Sequence, residues 1–208
     1  MDVNEAILAR RSIRKWKQVV VEREKIIQVL EAGRLAPSWA NIQPWKFVVL
    51  QDPELIQTAA RFTGGKMVVK TAPAVIVACS QLSAFIKESQ RQSLAELIRC
   101  GALAWSKDDL EYALENPFQA PHTQGLQYMQ SKAGEQLMIA MAYMTLEAVS
   151  LRLGTCWVGT ISDEFRHVIG VPDDYSLHSL LALGYPDENP AQRPRKAFDD
   201  IVSWEKFS

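Results

Sequence analysis

Between Ser131 and Leu153 the chain places Leu137, Met138, Met141, Met144, Leu146 and Val149 around most of a helix circumference. A helix with so little polar surface needs neighbours on nearly every side. The runs KFVVL (46–50) and AVIVACS (74–80) are short, β-branched and bounded by turn residues, as expected of buried strands. TCWVG (155–159) reads as another strand. SLHSLLALG (176–184) is apolar enough for strand or helix, and the flanking Pro172 and Pro186 favour strand.

Helical spacing recurs over residues 2–10 and 22–35, where Pro37 stops it. Asp52-Pro53 opens another helix that ends near Gly64-Gly65, Gly154 is the expected terminator of the long buried helix, and Ser162 is expected to cap a short one to about Ile169. Helices and strands alternate without internal repeats, so 208 residues at 48% hydrophobic composition are read as one α+β or α/β domain over 1–208. One stretch departs from the alternation. Gln81 to Gln130 begins as an amphipathic segment with Leu94, Leu97 and Ile98 on one face, then passes into ENPFQAPHTQG, a loop punctuated by Pro117, Pro121 and Gly125. It is an excursion from the core and a candidate lid. Trp105, Tyr112, Phe118 and Tyr128 within it would either line a site as an aromatic wall or pack the excursion onto its own core.

Lys and Arg total 23 against 24 acidic residues, net charge −1. No global basic field is available for nucleic acid or an anionic membrane, so an anion site has to be built locally. Cys79, Cys100 and Cys156 lack C-x-x-C spacing, which argues against a disulfide framework or a zinc site and suits a reducing cytoplasm. Neither an export signal nor a transmembrane helix is expected. His122, His167 and His178 are scattered without metal-ligand spacing.

Three segments are candidates for chemistry. RRSIRK sets Arg10, Arg11, Arg14 and Lys15 around Ser12, a density of forked donors suited to phosphate; the plainer reading is a helix C-terminus capped by basic residues. RPRK places Arg193, Arg195 and Lys196 in a Pro-stiffened loop, where residues two apart point the same way and can grip one anion, or simply face water. PSWANIQPW (37–45) offers Ser38, Asn41 and Gln43 as neutral hydrogen-bonding groups between Pro37 and Pro44, suited to the edge of a planar heterocycle, although such residues also form ordinary turns. Trp39 and Trp45 in the same run favour a site. Cys156 and His167 read as structural residues.

These segments, with Leu153-Gly154-Thr155-Cys156-Trp157-Val158-Gly159, resemble the motifs of the nitroreductase family: R-R-S-x-R, P-S-x-x-N-x-Q-P-W, G-x-G-T/S-C-W-x-G and a late K/R-x-R, in that order. The resemblance implies a central mixed sheet flanked by helices in an intertwined homodimer. It also implies FMN held by Arg10, Arg11, Ser12, Arg14, Arg193 and Arg195 on the phosphate and ring-carbonyl side, and by Trp157, Val158 and Gly159 along the ring. Pro37, Ser38 and Asn41 would come from the partner subunit. The family's buried helix commonly starts with Asp and carries Glu-Asn, where this chain has Ser131 and Glu135-Gln136.

No G-x-G-x-x-G follows a strand, so NAD(P)H is expected to stack on the flavin and leave before a small flat acceptor (nitroaromatic, quinone or flavin) enters, a ping-pong scheme. The alternatives are other flavin chemistry on the same fold, such as dehydrogenation, enone reduction or dehalogenation, and a non-catalytic FMN carrier or sensor.

Overall fold

The structure, a computed structural model, describes residues 1–116 and 120–207. Four strands form one sheet: β1 (Trp45–Leu50), β2 (Ala74–Gln81), β3 (Gly154–Val158) and β4 (Tyr175–Gly184), in the spatial order β1-β2-β4-β3. Every strand pairing is antiparallel, with a register shift between Ala78 and Cys79 in the β2–β4 ladder. The sheet is therefore mixed only through an isolated bridge, in which Ser12 pairs in parallel with Thr155 on the outer side of β3.

The central strands are covered on both faces, which explains why they read as unbroken apolar runs rather than as alternations. On one face Ala74, Ile76, Ala78, Leu181 and Leu183 meet α2 (Arg23–Arg34) and α7 (Leu126–Ser150) through Ile26, Val29, Leu137, Met141 and Met144. On the other, Val75, Val77, Cys79, Leu180 and Ala182 meet Ile13, Trp16, α3 (Pro53–Phe62), α4 (Met67–Lys70) and α8 (Phe165–Val168). Phe165, Leu180, Leu137 and Met144 have no exposed surface, and each contributes about 1.5–3 kcal/mol by burial. The remaining helices are α1 (Val3–Ala9), capped by an Asp2–Glu5 capping box, and α5 (Lys87–Arg99) and α6 (Lys107–Glu115) in the excursion.

The expected helices at 2–10, 22–35 and 52–64 fall where α1, α2 and α3 stand. The long helix begins five residues before Ser131, at Leu126, because the polar turn after Gly125 (φ +87) continues the helical backbone. It ends at Ser150 rather than at Gly154. Arg152 takes the left-handed conformation (φ +62), and the Leu153 amide donates to the Ala148 carbonyl at 2.8 Å. Gly154 serves packing instead: a Cβ there would lie 2.5 Å from Ile13 Cγ1 and 2.8 Å from Ile13 Cβ. Nor does Ser162 cap α8, whose N-cap position is held by Glu164 without a side-chain bond. The amphipathic part of the excursion is two helices rather than one stretch, since Ser106 and Asp109 form a capping box that starts α6 ahead of the expected loop.

Because Ile13 is β-branched and buried, it has little freedom to move away from a new side chain. Gly154→Ala should lower stability by about 1–3 kcal/mol. Gly33→Ala meets the flexible end of Met144 and should cost less. Urea denaturation of the two variants measures the difference; equal losses would remove the Ile13 contact as the reason for glycine at 154.

Candidate active site

The N-terminal segment leaves α1 at Arg10 and runs beside β3 and then beside the chain that follows β4. The Ile13 amide donates to the Thr155 carbonyl at 2.9 Å, Lys17 N to Tyr185 O at 2.9 Å, and Asp187 N to Lys15 O at 3.0 Å. Glu188 Oε1 accepts the amides of Arg14 (2.5 Å) and Lys15 (3.2 Å). These bonds turn the chain after Glu188 back over the basic segment. Arg10, Arg11, Ser12 and Arg14 consequently line the same cavity of about 380 Å³ as Arg193 and Arg195, 180 residues away in sequence, with Ile7, Leu8 and Gln192 completing much of the wall.

Five arginines thus share a cavity whose lining includes, among the described residues, no carboxylate and no histidine. Among the described residues none of the five takes part in a salt bridge. Three of them donate to backbone carbonyls: Arg11 Nη1 to Leu8 O (2.6 Å), Arg14 Nη1 to Ser12 O (3.1 Å), and Arg195 Nη1 to Pro194 O (3.0 Å). The Arg11 bond makes the helix-capping reading of the first cluster correct for that residue. Even so, Arg11 Nε is enclosed and has no hydrogen-bond partner among the described residues. A buried donor and a group of unneutralised guanidinium ions are the conditions under which an oxyanion is bound.

The field extends to β3. Burial pushes the Cys156 thiol up, while the charges of Arg14, Arg193 and Lys66 pull it back and Glu188 opposes them. Lys66 was not among the sequence candidates. It follows Gly64 and Gly65, both at φ +73, in a turn that read only as the end of a helix. Further along β3, Trp157 is 41% exposed with its indole N–H donating to Thr145 Oγ1 at 2.7 Å, Val158 is buried and Gly159 is exposed.

Pro37, Ser38 and Asn41 do not line the arginine cavity. They belong to a tight turn in which Ala40 (φ +47), Asn41 (φ +56) and Gln43 (φ +43) are all left-handed, a strained arrangement that persists only when the surroundings hold it. The Ser38 hydroxyl accepts the Gln43 amide at 3.0 Å, and Gln136 Oε1 of α7 accepts the Trp39 amide at 2.7 Å. Ser38 therefore does form the turn, the plainer of its two readings. Gln136, one of the departures from the family pattern, anchors it. Trp39 stacks on Phe85 (centroids 6.5 Å apart, planes 17° apart), and Trp45 packs on the core of the α2 and α7 face, so neither is a free platform.

The excursion aromatics that the structure describes have separate surroundings. Trp105 lines a pocket with Trp39, Tyr112 is 65% exposed on α6, Tyr128 lies under the Lys132 ammonium on α7, and Phe118 is outside the described residues.

Comparison with known proteins places the chain. Residues 7–185 match the model of the nitroreductase family, and the chain belongs to that family. It is 29% identical over 205 residues to an NADH dehydrogenase of Thermus thermophilus, covering 98% of this chain and 96% of that one. Similarity to an NADPH-flavin oxidoreductase of Vibrio harveyi is 26% over 196 residues, covering 92% of this chain and 68% of the relative. In structure it resembles a nitroreductase-like protein of Exiguobacterium sibiricum solved in complex with FMN, with a TM-score of 0.78 at 23% identity over 99% and 98% of the two chains.

Burial holds Cys79 at about 11 and also raises Cys156, whereas Cys100 is exposed. Iodoacetamide at pH 7.5 should modify Cys100 alone in the native protein and all three cysteines after unfolding, read by intact mass. Fast native alkylation of Cys156 would reverse its assignment as a structural residue.

Proposed function

We propose that this chain is an FMN-dependent oxidoreductase that moves two electrons from NAD(P)H to a small flat acceptor, a nitroaromatic, quinone or flavin, by a ping-pong mechanism. The observation that carries the reading is the five-arginine cavity with its orphaned Arg11 Nε. Family membership and the flavin named for relatives supply the identity of the anion. Arg10, Arg11, Ser12, Arg14, Arg193 and Arg195 would hold the phosphate and the ring-carbonyl side, with Trp157, Val158 and Gly159 along the ring. Bound FMN would supply the hydride and electron chemistry. The protein's part would be positioning and charge: Arg11, Arg14 and the backbone amides near Gly159 would set a positive field where negative charge accumulates on reduction, which lowers the barrier without a side-chain acid or base.

The same reading includes a homodimer working in the cytoplasm, where free cysteines stay reduced. Val3, Ile7 and Leu8 of α1, Ile27 of α2, and Ile139 and Tyr143 of α7 are more than one-third exposed, as are Phe198, Ile201, Trp204 and Phe207 after the arginine loop. A monomer rarely leaves so much apolar surface in water, and a second copy of the chain would cover it. Pro37, Ser38 and Asn41 would then complete the partner's site. No helix among the described residues is long and apolar enough to cross a membrane.

The protein should purify yellow and release FMN, not FAD, on denaturation. Arg195→Ala should weaken FMN binding by about 1.5–3 kcal/mol, the loss of a charge-assisted hydrogen bond. Arg99→Ala, on the exposed face of α5, should change it little. Flavin titration of the apoproteins compares them, and equal affinities would refute the phosphate role. Steady-state kinetics with NAD(P)H and a quinone should give parallel double-reciprocal lines; flavin binding without turnover would leave the carrier reading standing.

Mixing an Arg14 and Arg195 double mutant with an Asn41 mutant tests the shared site. Random co-assembly makes about half the dimers heterodimeric, each with one intact site, so roughly a quarter of all sites should regain wild-type affinity. Recovery no better than the two parents, in mutants shown by light scattering to dimerise, would place the whole site within one chain.

A further inference from the structure

Ala40, Asn41 and Gln43 are left-handed without being glycine, and a turn built of such residues relaxes unless its surroundings oppose it. Its internal bonds, Asn41 N to Ser38 O at 3.1 Å and Gln43 N to Ser38 Oγ at 3.0 Å, close the loop but leave its orientation open. Two bonds from distant parts of the chain set that orientation. Gln136 Oε1 on α7 accepts the Trp39 amide at 2.7 Å, and Ser93 Oγ on α5 donates to the Ala40 carbonyl at 2.6 Å.

Each tether is itself fixed. Gln136 is buried on a helix whose Leu137 and Met141 pack against the sheet, so its carboxamide has little room to turn away. Ser93 is carried by the α5–α6 hairpin, in which Leu94, Leu110 and Leu114 form a core and two ion pairs, Arg91 with Glu111 and Lys87 with Glu115, join the helices. Buried Gln90 of the same helix donates to the Phe85 carbonyl at 2.7 Å, its Oε1 lies 3.0 Å from His122 Nδ1, and the Phe85 ring stacks on Trp39. The excursion therefore meets the turn twice, through a hydroxyl at Ala40 and through a ring at Trp39.

Neither Gln136 nor Ser93 lines the arginine cavity, and Pro37, Ser38 and Asn41 do not line it either. Within one chain the braced turn is thus separate from anything the five guanidinium groups hold. Backbone strain of this kind is retained where a ligand needs the geometry it imposes, and here the ligand would belong to the second subunit.

We infer that Gln136 and Ser93 are positioning residues for the flavin site of the partner subunit, holding the turn in the conformation in which Ser38 and Asn41 reach that flavin. The inference rests on the shared site proposed above, and adds to it the residues that enforce the turn and a task for the excursion, which is to brace it. When either tether is cut, the turn samples other conformations. The apparent flavin affinity then falls in proportion to the population of the competent one.

Gln136→Met keeps the length of the side chain and deletes the acceptor, while Ser93→Ala deletes one hydroxyl and keeps the test available if the first variant does not assemble. Each should weaken FMN on the order of tenfold in titration of the apoprotein, the effect of leaving one backbone group of the turn unpaired. The decisive readout is which subunit's site suffers. Co-assembled with the Arg14 and Arg195 double mutant, either variant should return wild-type affinity to roughly a quarter of all sites, because the heterodimer joins its intact arginines to an unaltered turn. A residue that merely stabilises its own chain carries its defect with that chain, and no site would recover. Unchanged FMN affinity in both variants, or weakened affinity without recovery on mixing, overturns the inference. Recovery with the Asn41 mutant but not with these variants removes the bracing role alone, whereas recovery with none of them removes the shared site as well.

Discussion

The outer edge of β3 is where the molecule brings its ends together. Ile13 donates to Thr155 across that edge and lies against Gly154, where no side chain intervenes. The same extended segment then pairs with the chain beyond β4, through Lys17 with Tyr185 and Lys15 with Asp187. A bridge of this kind sits at the margin of a sheet whose centre is already satisfied by β2 and β4, so its energetic contribution is modest. Its geometric effect is larger, because it sets the first basic motif and the last one facing a common space.

That space costs the fold something. Five guanidinium groups repel one another, and nothing in the lining neutralises them. The price is met by the apolar layers on either face of the sheet, where Phe165, Leu137, Met141 and Met144 are fully enclosed. Binding of a polyanion to the folded state alone would return the electrostatic cost as stability, in proportion to the logarithm of ligand concentration over its dissociation constant. The turn at Trp39–Gln43 follows the same logic on a smaller scale: three left-handed residues are held by Gln136 from one side and Ser93 from the other.

Much of this was legible in the residues. β2 and β4 are doubly buried and so appear as continuous apolar runs, and the arginine motifs together with P-S-x-x-N-x-Q-P-W pointed to the family. Other features depend on contacts that sequence periodicity does not encode. Gly154 looked like a helix terminator because its partner Ile13 lies about 140 residues earlier, while the true left-handed residue is Arg152, an unfavourable type for the role. α6 was masked by the surrounding Pro and Gly, although its Ser106–Asp109 capping box was in plain view. Lys66 gave no signal as a single lysine after two glycines. Trp39 counted in favour of a site, yet it stacks on Phe85.

The arginine cavity and the apolar layers of the fold answer to the medium in opposite ways. An anion held by the five guanidinium groups would be held through charge, and dissolved ions compete with such contacts within a Debye length of about 8 Å at physiological salt. The layers on the two faces of the sheet are held by the exclusion of water, which sulfate or phosphate salts reinforce. Rising concentrations of such salts would therefore tighten the scaffold while loosening the cavity's hold on an anion.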